Sequence, residues 1–404
     1  MSRVASLREA IGRNTVHPFP ARMAAGLAMH ALSELRRSVT VLDPMVGSGT
    51  VLAVARANGH RCIGFDVDPL AVLISRVWTR TIDVRQVQLQ ADRVLADAKK
   101  KFSDLNSGDA YPQGADQETR EFVRYWFDAY ARRQLAALAR VISRVESKSA
   151  QEVLWCAFSR LIITKQSGAS LALDLAHSRP HRSFERSPRK PFRQFPMAVE
   201  RVLSGCMQRG ERDAGPRATV SLGDARAIPL ADKSVDLVFT SPPYLNAIDY
   251  IRCSKFSLVW MGYSVAELRA IRGSSIGAEN RGTRDVAIDT VIDRLRLSPD
   301  LAPRMRGILR RYIEDTNRAL KEVARVLSAR GKAVYVLGEN TIRGTFVPTS
   351  RLVTRLAADA GLQLINRRYR ALPSNKRYLP PPGNGRTPLD SRIRREVILT
   401  FEQR

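Results

Sequence analysis

The chemistry starts at Thr240 to Tyr244, which read Thr-Ser-Pro-Pro-Tyr. Two consecutive prolines hold the backbone extended and remove two amide donors, so the carbonyls there have no local competitor. Such a corner offers acceptors only. An exocyclic amine on a nucleobase carries two N–H donors and a lone pair delocalised into the ring, which makes it a poor nucleophile. If Ser241 Oγ and the Pro242 carbonyl accept both protons, the nitrogen moves towards sp³ geometry and its lone pair is freed for attack on an electrophilic carbon. Positioning and electrostatics then supply most of the rate. Pro243 completes the rigid corner, and Tyr244 presents a flat face on which an extruded base stacks, an interaction worth about 1–3 kcal/mol in single-strand systems. The proton leaves after transfer, so no strong general base is required. The plain alternative for a Pro-Pro-Tyr is a surface turn or an interaction motif.

A second group of residues lies upstream in DPMVGSGT, Asp43 to Thr50. Gly47 and Gly49 fall in a tight strand-to-helix turn where backbone must approach a ligand closely. The turn lacks the Gly-Lys-Ser/Thr of a P-loop, and Leu52 occupies the third glycine position of the dinucleotide fingerprint. With no pyrophosphate to cradle, a smaller cationic nucleoside is the better ligand. Asp43 would attract a sulfonium-bearing amino acid or bond its ammonium, or else cap the following helix. Asp66 follows at about the 20-residue spacing at which an acid meets ribose hydroxyls in nucleotide-binding βαβ units. Asp68, followed by Pro69, reads equally as a helix N-cap. Asp224 closes a later strand and would accept from an adenine amine.

These residues need strand ends to hold them. Short β-branched runs occur at Val39 to Asp43, Arg61 to Asp66, Thr219 to Asp224, Ser234 to Tyr244, Gly331 to Glu339, Leu362 to Leu372 and Arg395 to Phe401. Alternation with helical stretches predicts an α/β fold with a seven-stranded, mostly parallel sheet, whose ligands sit beyond the carboxyl ends of its strands. Residues 1–83 would hold the nucleoside and residues 218–404 the catalytic corner, with residues 84–217 as a large helical insertion between them. Within the insertion, His177 to Pro196 is rich in Pro and Arg and poor in aliphatic residues, so it is predicted to be a loop that a partner orders. Its Arg179, Arg182, Arg186, Arg189, Lys190 and Arg193 are candidate contacts to a polyanion.

The chain's 404 residues carry 66 Lys and Arg against 39 Asp and Glu, a formal charge of +27, and nucleic acid is the simplest partner for such a field. The basic bias of a GC-rich genome is the alternative. Four scattered cysteines, Cys62, Cys156, Cys206 and Cys253, form no C-x-x-C pair, which predicts neither a zinc site nor disulfides and fits a reducing cytoplasm. No metal and no membrane span are expected.

The glycine turn together with Ser241 to Tyr244 resembles the amino-methyltransferases of DNA, the N4-cytosine and N6-adenine enzymes of bacterial restriction and modification. Their catalytic tetrapeptide has the form Asp/Asn/Ser-Pro-Pro-Tyr/Phe. The resemblance extends to HPFP, His17 to Pro20, where His17 and Phe19 are similar to the element that packs beside the methionine part of the cofactor, and to the last strands. It implies the sheet of the S-adenosylmethionine-dependent (Rossmann-like) type and S-adenosylmethionine as cofactor, bound by His17, Phe19, Asp43, Gly47, Gly49, Thr50, Asp66 and Asp224. It also implies double-stranded DNA with a flipped base as substrate, a cognate restriction endonuclease as partner, and a place near the bacterial nucleoid. The Ser form looks more like the N4-cytosine branch. Many Ser-form enzymes carry the tetrapeptide before the glycine turn, however, so adenine N6 stays beside it. The insertion and the stretch Leu245 to Arg311 are both candidates for reading sequence. Carbon-5 methylation would need a Pro-Cys nucleophile, and no cysteine here follows a proline. An RNA amino-methyltransferase and a non-catalytic nucleic-acid binder are the remaining alternatives.

Overall fold

A computed structural model describes residues 7–20, 23–33, 35, 37–176, 180–208, 218–245, 250–278, 286–295, 303–342, 345–372 and 395–404. The seven β-branched runs form the strands β1 (Thr40–Asp43), β2 (Arg61–Asp66), β3 (Ala218–Leu222), β4 (Val235–Thr240), β5 (Leu327–Gly338), β6 (Leu362–Ala371) and β7 (Arg395–Gln403). They make one sheet in the order β6-β7-β5-β4-β1-β2-β3. The pairs β1·β2, β2·β3, β1·β4 and β4·β5 are parallel, while β7 runs antiparallel to both its neighbours. This is the mostly parallel, Rossmann-like sheet expected. Strand order reverses between β1 and β4, so a crevice opens beyond their carboxyl ends, where both candidate motifs lie.

Alternation along the strands divides the core. Val41, Leu237, Phe239, Val334 and Val336 pack under helices α1 (Ala25–Ser33) and α2 (Thr50–Ala57). Helix α3 (Pro69–Thr79) starts where Asp68 accepts a hydrogen bond from the Leu70 amide and Pro69 fills the first turn, where no amide donor is needed. The insertion supplies α4 (Val84–Asp104), α5 (Gln117–Trp126), α6 (Ala129–Ile142), α7 (Lys148–Ile162) and α8 (Pro191–Leu203). Side-chain N-caps from Asp83, Asp116, Asp128 and Ser147 begin the first four of these. Their apolar faces share one buried cluster with Val16 and Phe19, with Ile74 and Trp78 of α3, and with Phe256 of α9 (Tyr250–Leu258). The insertion is thereby packed onto α3, α9 and the segment of Val16 and Phe19. On the opposite face Leu42, Val238, Tyr335 and Leu337 pack against α10 (Pro303–Val326) and α11 (Thr349–Asp359).

The Pro/Arg-rich arm differs from the predicted loop. From Pro191 onwards it is helical, because Pro191 occupies the first turn and Phe195, Ala198, Val199 and Val202 bury one face. Pro196 sits inside the helix, where the burial that follows it outweighs one missing backbone bond. The preceding stretch is tied down as well: the Ser183 amide donates to the Leu171 carbonyl (2.8 Å), and the Ser187 amide to Asp128 Oδ2 (2.6 Å). His177 to Arg179 lie outside the described residues, as do residues 246–249, 279–285 and 296–302 of the polar stretch after the tetrapeptide. Among the described residues no helix is long and apolar enough to cross a membrane.

Candidate active site

Gly47 and Gly49 both take positive φ, 49° and 82°. At Gly49 the requirement is also spatial, since a Cβ there would lie 2.7 Å from Ser75 Oγ and 3.0 Å from Ser75 Cα on α3. The turn is strapped to β2 and α3. The Gly47 amide donates to Asp66 Oδ2 (2.8 Å), the Val46 amide to the Phe65 carbonyl (2.9 Å), and Ser75 Oγ to the Gly47 carbonyl (2.9 Å). Thr50 opens α2 with its hydroxyl 3.3 Å from Ser48 Oγ.

Three carboxylates crowd this crevice. Asp43 is buried and accepts from Thr240 Oγ1 (2.8 Å) and the Met45 amide (3.2 Å). Burial pushes its carboxyl up to about 7 against those two bonds, with the nearby Asp66 charge adding to the rise. Asp66 is likewise raised by burial, although the amides of Asp68 and Gly47 donate to it. Asp68 caps α3, accepts from Ser254 Oγ of α9 (2.6 Å), and is pushed up to about 7 by burial and then by Asp66. Among the described residues none of the three forms a salt bridge with a cationic side chain. Buried carboxylates left unneutralised are costly, so the complement of this pocket is a cationic ligand. S-adenosylmethionine would fit those acceptors: its sulfonium and ammonium would answer Asp43, and each Asp66 oxygen keeps a lone pair that a ribose hydroxyl could use.

Asp224 stands past the end of β3, beside β2, where the Gly223 amide donates to the Asp66 carbonyl (3.1 Å). Arg226 grips its carboxylate through Nε (3.0 and 3.1 Å) and Nη2 (2.6 Å) and reaches the buried Asp315 through Nη1 (2.6 Å). Burial would raise Asp224, but the bonded guanidinium outweighs it and holds the carboxyl below its ordinary range. An adenine amine would share this acceptor with Arg226.

The tetrapeptide meets this pocket directly. Thr240 ends β4 immediately before Ser241, and its hydroxyl is the one bound to Asp43. Pro242 is buried, while Ser241, Pro243 and Tyr244 are half-buried. Tyr312 Oη of α10 donates to the Pro243 carbonyl (3.4 Å). The Tyr244 ring lies against Gly338 at the end of β5, with its hydroxyl 3.4 Å from Glu396 Oε1 on β7.

Of the upstream element, Phe19 is buried with its Cε1 3.8 Å from where a Cβ on Gly47 would stand. Its ring stacks on Tyr250, centroids 5.6 Å apart and planes 4° from parallel. His17 is buried too, but its Nε2 meets Ser159 Oγ of α7 at 3.0 Å, which ties the element to the insertion. Sequence reasoning gave Thr240 no role of its own and missed Ser75, Tyr250 and Ser254. Only Thr240 carried a signal, as a hydroxyl residue at a strand end next to the proline corner. In the arm, Arg182, Arg186, Arg189, Lys190 and Arg193 are exposed. The Arg182 guanidinium lies 5.6 Å from the Tyr125 ring centre and the Lys190 ammonium 5.1 Å from that of Tyr130.

No protein-family model matches the chain. It is similar to the type II methyltransferase M.MvaI of Kocuria varians, 21% identical over 391 residues that cover 89% of this chain and 84% of that protein. It is also similar to the type II methyltransferase M.BsoBI of Geobacillus stearothermophilus, 20% identical over 380 residues, covering 82% and 74%. Among solved structures, a TehB-like SAM-dependent methyltransferase from Corynebacterium glutamicum aligns with 93% of this chain and 86% of its own at 10% identity, with a TM-score of 0.31.

Proposed function

We propose that this chain is an S-adenosylmethionine-dependent methyltransferase acting on an exocyclic amine of a DNA base, cytosine N4 in preference to adenine N6. The observation that carries the reading is the Thr240 to Asp43 hydrogen bond of 2.8 Å. It ties the acceptor-only corner to the acidic glycine-turn pocket, so that an amine nitrogen and a cationic methyl donor share one crevice. The similarity to type II methyltransferases supports the same reading.

When bound, the cofactor supplies an electrophilic methyl group on sulfur. The protein's own residues do the rest. Asp43 holds the positive end of the ligand, Asp66 takes the ribose diol, Asp224 lies towards the adenine, and Phe19 covers the glycine turn with His17 behind it. Ser241 Oγ and the Pro242 carbonyl accept the two amine protons, which frees the nitrogen lone pair. Tyr244 stacks on the base. Residues 1–83 and 218–404 act as two halves of the catalytic domain. Residues 84–217 grip the duplex, with the cations of the arm on its phosphates.

Mass spectrometry of nucleosides from DNA of cells expressing the chain, with a Ser241→Ala variant beside it, tests the proposal. We expect N4-methylcytosine from the wild type and none from the variant. N6-methyladenine in its place would keep the chemistry and change the base, and an unmodified DNA pool would sink the proposal.

A further inference from the structure

Three strands place Gly338, Glu396 and Arg370 side by side in one row, since Glu396 pairs with Gly338 across β7 and β5 and with Arg370 across β7 and β6. Cross-strand partners share a face of the sheet. The row leads from the outer strand to the catalytic corner, because the Tyr244 ring lies flat where a Gly338 side chain would stand. A Cβ there would come within 2.8 Å of Tyr244 Cε2 and 3.0 Å of Cδ2. The Tyr244 hydroxyl faces Glu396 Oε1 (3.4 Å), and Arg370 Nη1 donates to Glu396 Oε2 (2.8 Å).

Glu396 is 7% exposed, and an ionised carboxylate seldom goes so deep without a task. Arg370 offsets its charge, and one carboxylate oxygen is left facing the tyrosine. Arg370, its side chain only 13% exposed, needs an acid to pair with, but that pairing uses Oε2 and leaves Oε1 to the tyrosine. What the row supplies is a floor and a tether: the glycine lets the ring sit down on the backbone, and the acid fixes its rotation.

We propose that Glu396, held by Arg370, is a positioning residue that sets the plane of Tyr244, and thereby the plane in which the target base stacks. The inference rests on the proposed function and deepens it. A hydroxyl that orients the ring has no part in the transfer itself, so its loss lowers turnover by misplacing the base. The 3.4 Å separation suits a bond that shortens when a base presses the ring onto Gly338, as hydrogen bonds in active sites often do on substrate binding.

The test compares wild type with Tyr244→Phe, Glu396→Leu, Glu396→Gln and the double variant Tyr244→Phe/Glu396→Leu, using genomic DNA as acceptor. Tyr244→Phe and Glu396→Leu are each expected to lower kcat about tenfold, the effect of one hydrogen bond to a charged group. The double variant should lose no more than Glu396→Leu alone, and Glu396→Gln, which keeps an acceptor, should recover most of the rate. Cofactor affinity by calorimetry should stay at the wild-type value throughout. Multiplicative losses in the double variant, or cofactor affinity falling in step with kcat, overturn the positioning role. Thermal unfolding of the same proteins reads the tether without turnover: the double variant should melt no lower than Glu396→Leu, and additive losses overturn it. Non-additive melting of the variants together with a wild type that methylates no nucleoside rejects the functional reading and upholds the tether.

Discussion

In the proposed function Asp43 would serve binding at the expense of fold stability. Its carboxyl sits at about 7 in the folded protein against the ordinary 3.8 of a free aspartate. The folded chain therefore binds that proton more tightly than the unfolded chain does. Stability falls as pH rises from 3.8 towards 7, and above that range the loss is complete. Asp68, also at about 7, works in the same direction. Asp43→Asn keeps an acceptor for Thr240 and removes the charge. By differential scanning calorimetry it should melt above wild type at about pH 8, with the gap closing as the pH is lowered through 7. Cofactor binding should move the other way. The ligand needs the ionised form, so wild-type affinity by titration calorimetry should rise with pH up to about 7 and then level, and Asp43→Asn should bind weakly at every pH. A melting curve for Asp43→Asn that tracks wild type from about pH 5 to 8 would refute this. Ser241→Ala and Tyr244→Ala probe the side of the same crevice proposed for the base. Removing one preorganised hydrogen-bonding group costs about 10²-fold in kcat, so Ser241→Ala should lose turnover on that order while cofactor affinity is unchanged. Equal loss of cofactor binding in both variants would contradict their assignment.

At the scale of elements, the site is built where chain segments end. The glycine turn joins β1 to α2, Asp66 and Asp68 follow β2, and the proline corner follows β4. The straps between them are short polar bonds: Ser75 of α3 to the Gly47 carbonyl, and Ser254 of α9 to Asp68. Gly49→Ala should destabilise the protein by about 1–3 kcal/mol, the range for a non-glycine residue forced into left-handed backbone, with the clash against Ser75 added. Chemical denaturation measures it, and a midpoint shared with wild type would mean that the turn can move. Elements are largely legible in the sequence. The central strands β1, β2, β4 and β5 follow from apolar runs, because burial on both faces of a parallel sheet demands such runs, whereas β3 and β6 at the sheet edges are partly exposed and follow from weaker patterns. Helix α8 is not legible there, since two prolines and the basic residues around them obscure the buried stripe of Phe195, Ala198, Val199 and Val202 that only packing reveals.

Over the whole molecule, charge is segregated. The net charge is +27, yet the crevice is acidic, and the arm presents Arg182, Arg186, Arg189, Lys190 and Arg193 to solvent. Opposite signs at the two places suit a cationic ligand in the crevice and a polyanion on the outside. Changing Arg186, Arg189 and Arg193 together to Ala should weaken DNA affinity. It should also make the plot of log affinity against log salt shallower by about 0.9 for each phosphate that is no longer neutralised. Fluorescence anisotropy across a salt series reads both quantities. An unchanged slope would mean that the arm does not touch the backbone of DNA.

The sequence alone is enough to determine the strands, the glycine turn, the proline corner and the basic character of the chain, because each depends on residues adjacent in the chain or on composition. Tertiary structure decides which of these meet. Thr240 reaches Asp43 only because β4 lies next to β1. Phe19 covers the glycine turn only because α9 returns Tyr250 to stack on it. Glu396 finds Tyr244 only through the register of three strands. A single sequence carries no signal for such pairs: strand order and register follow from the packing of the whole sheet, and no residue's type encodes its partner far along the chain.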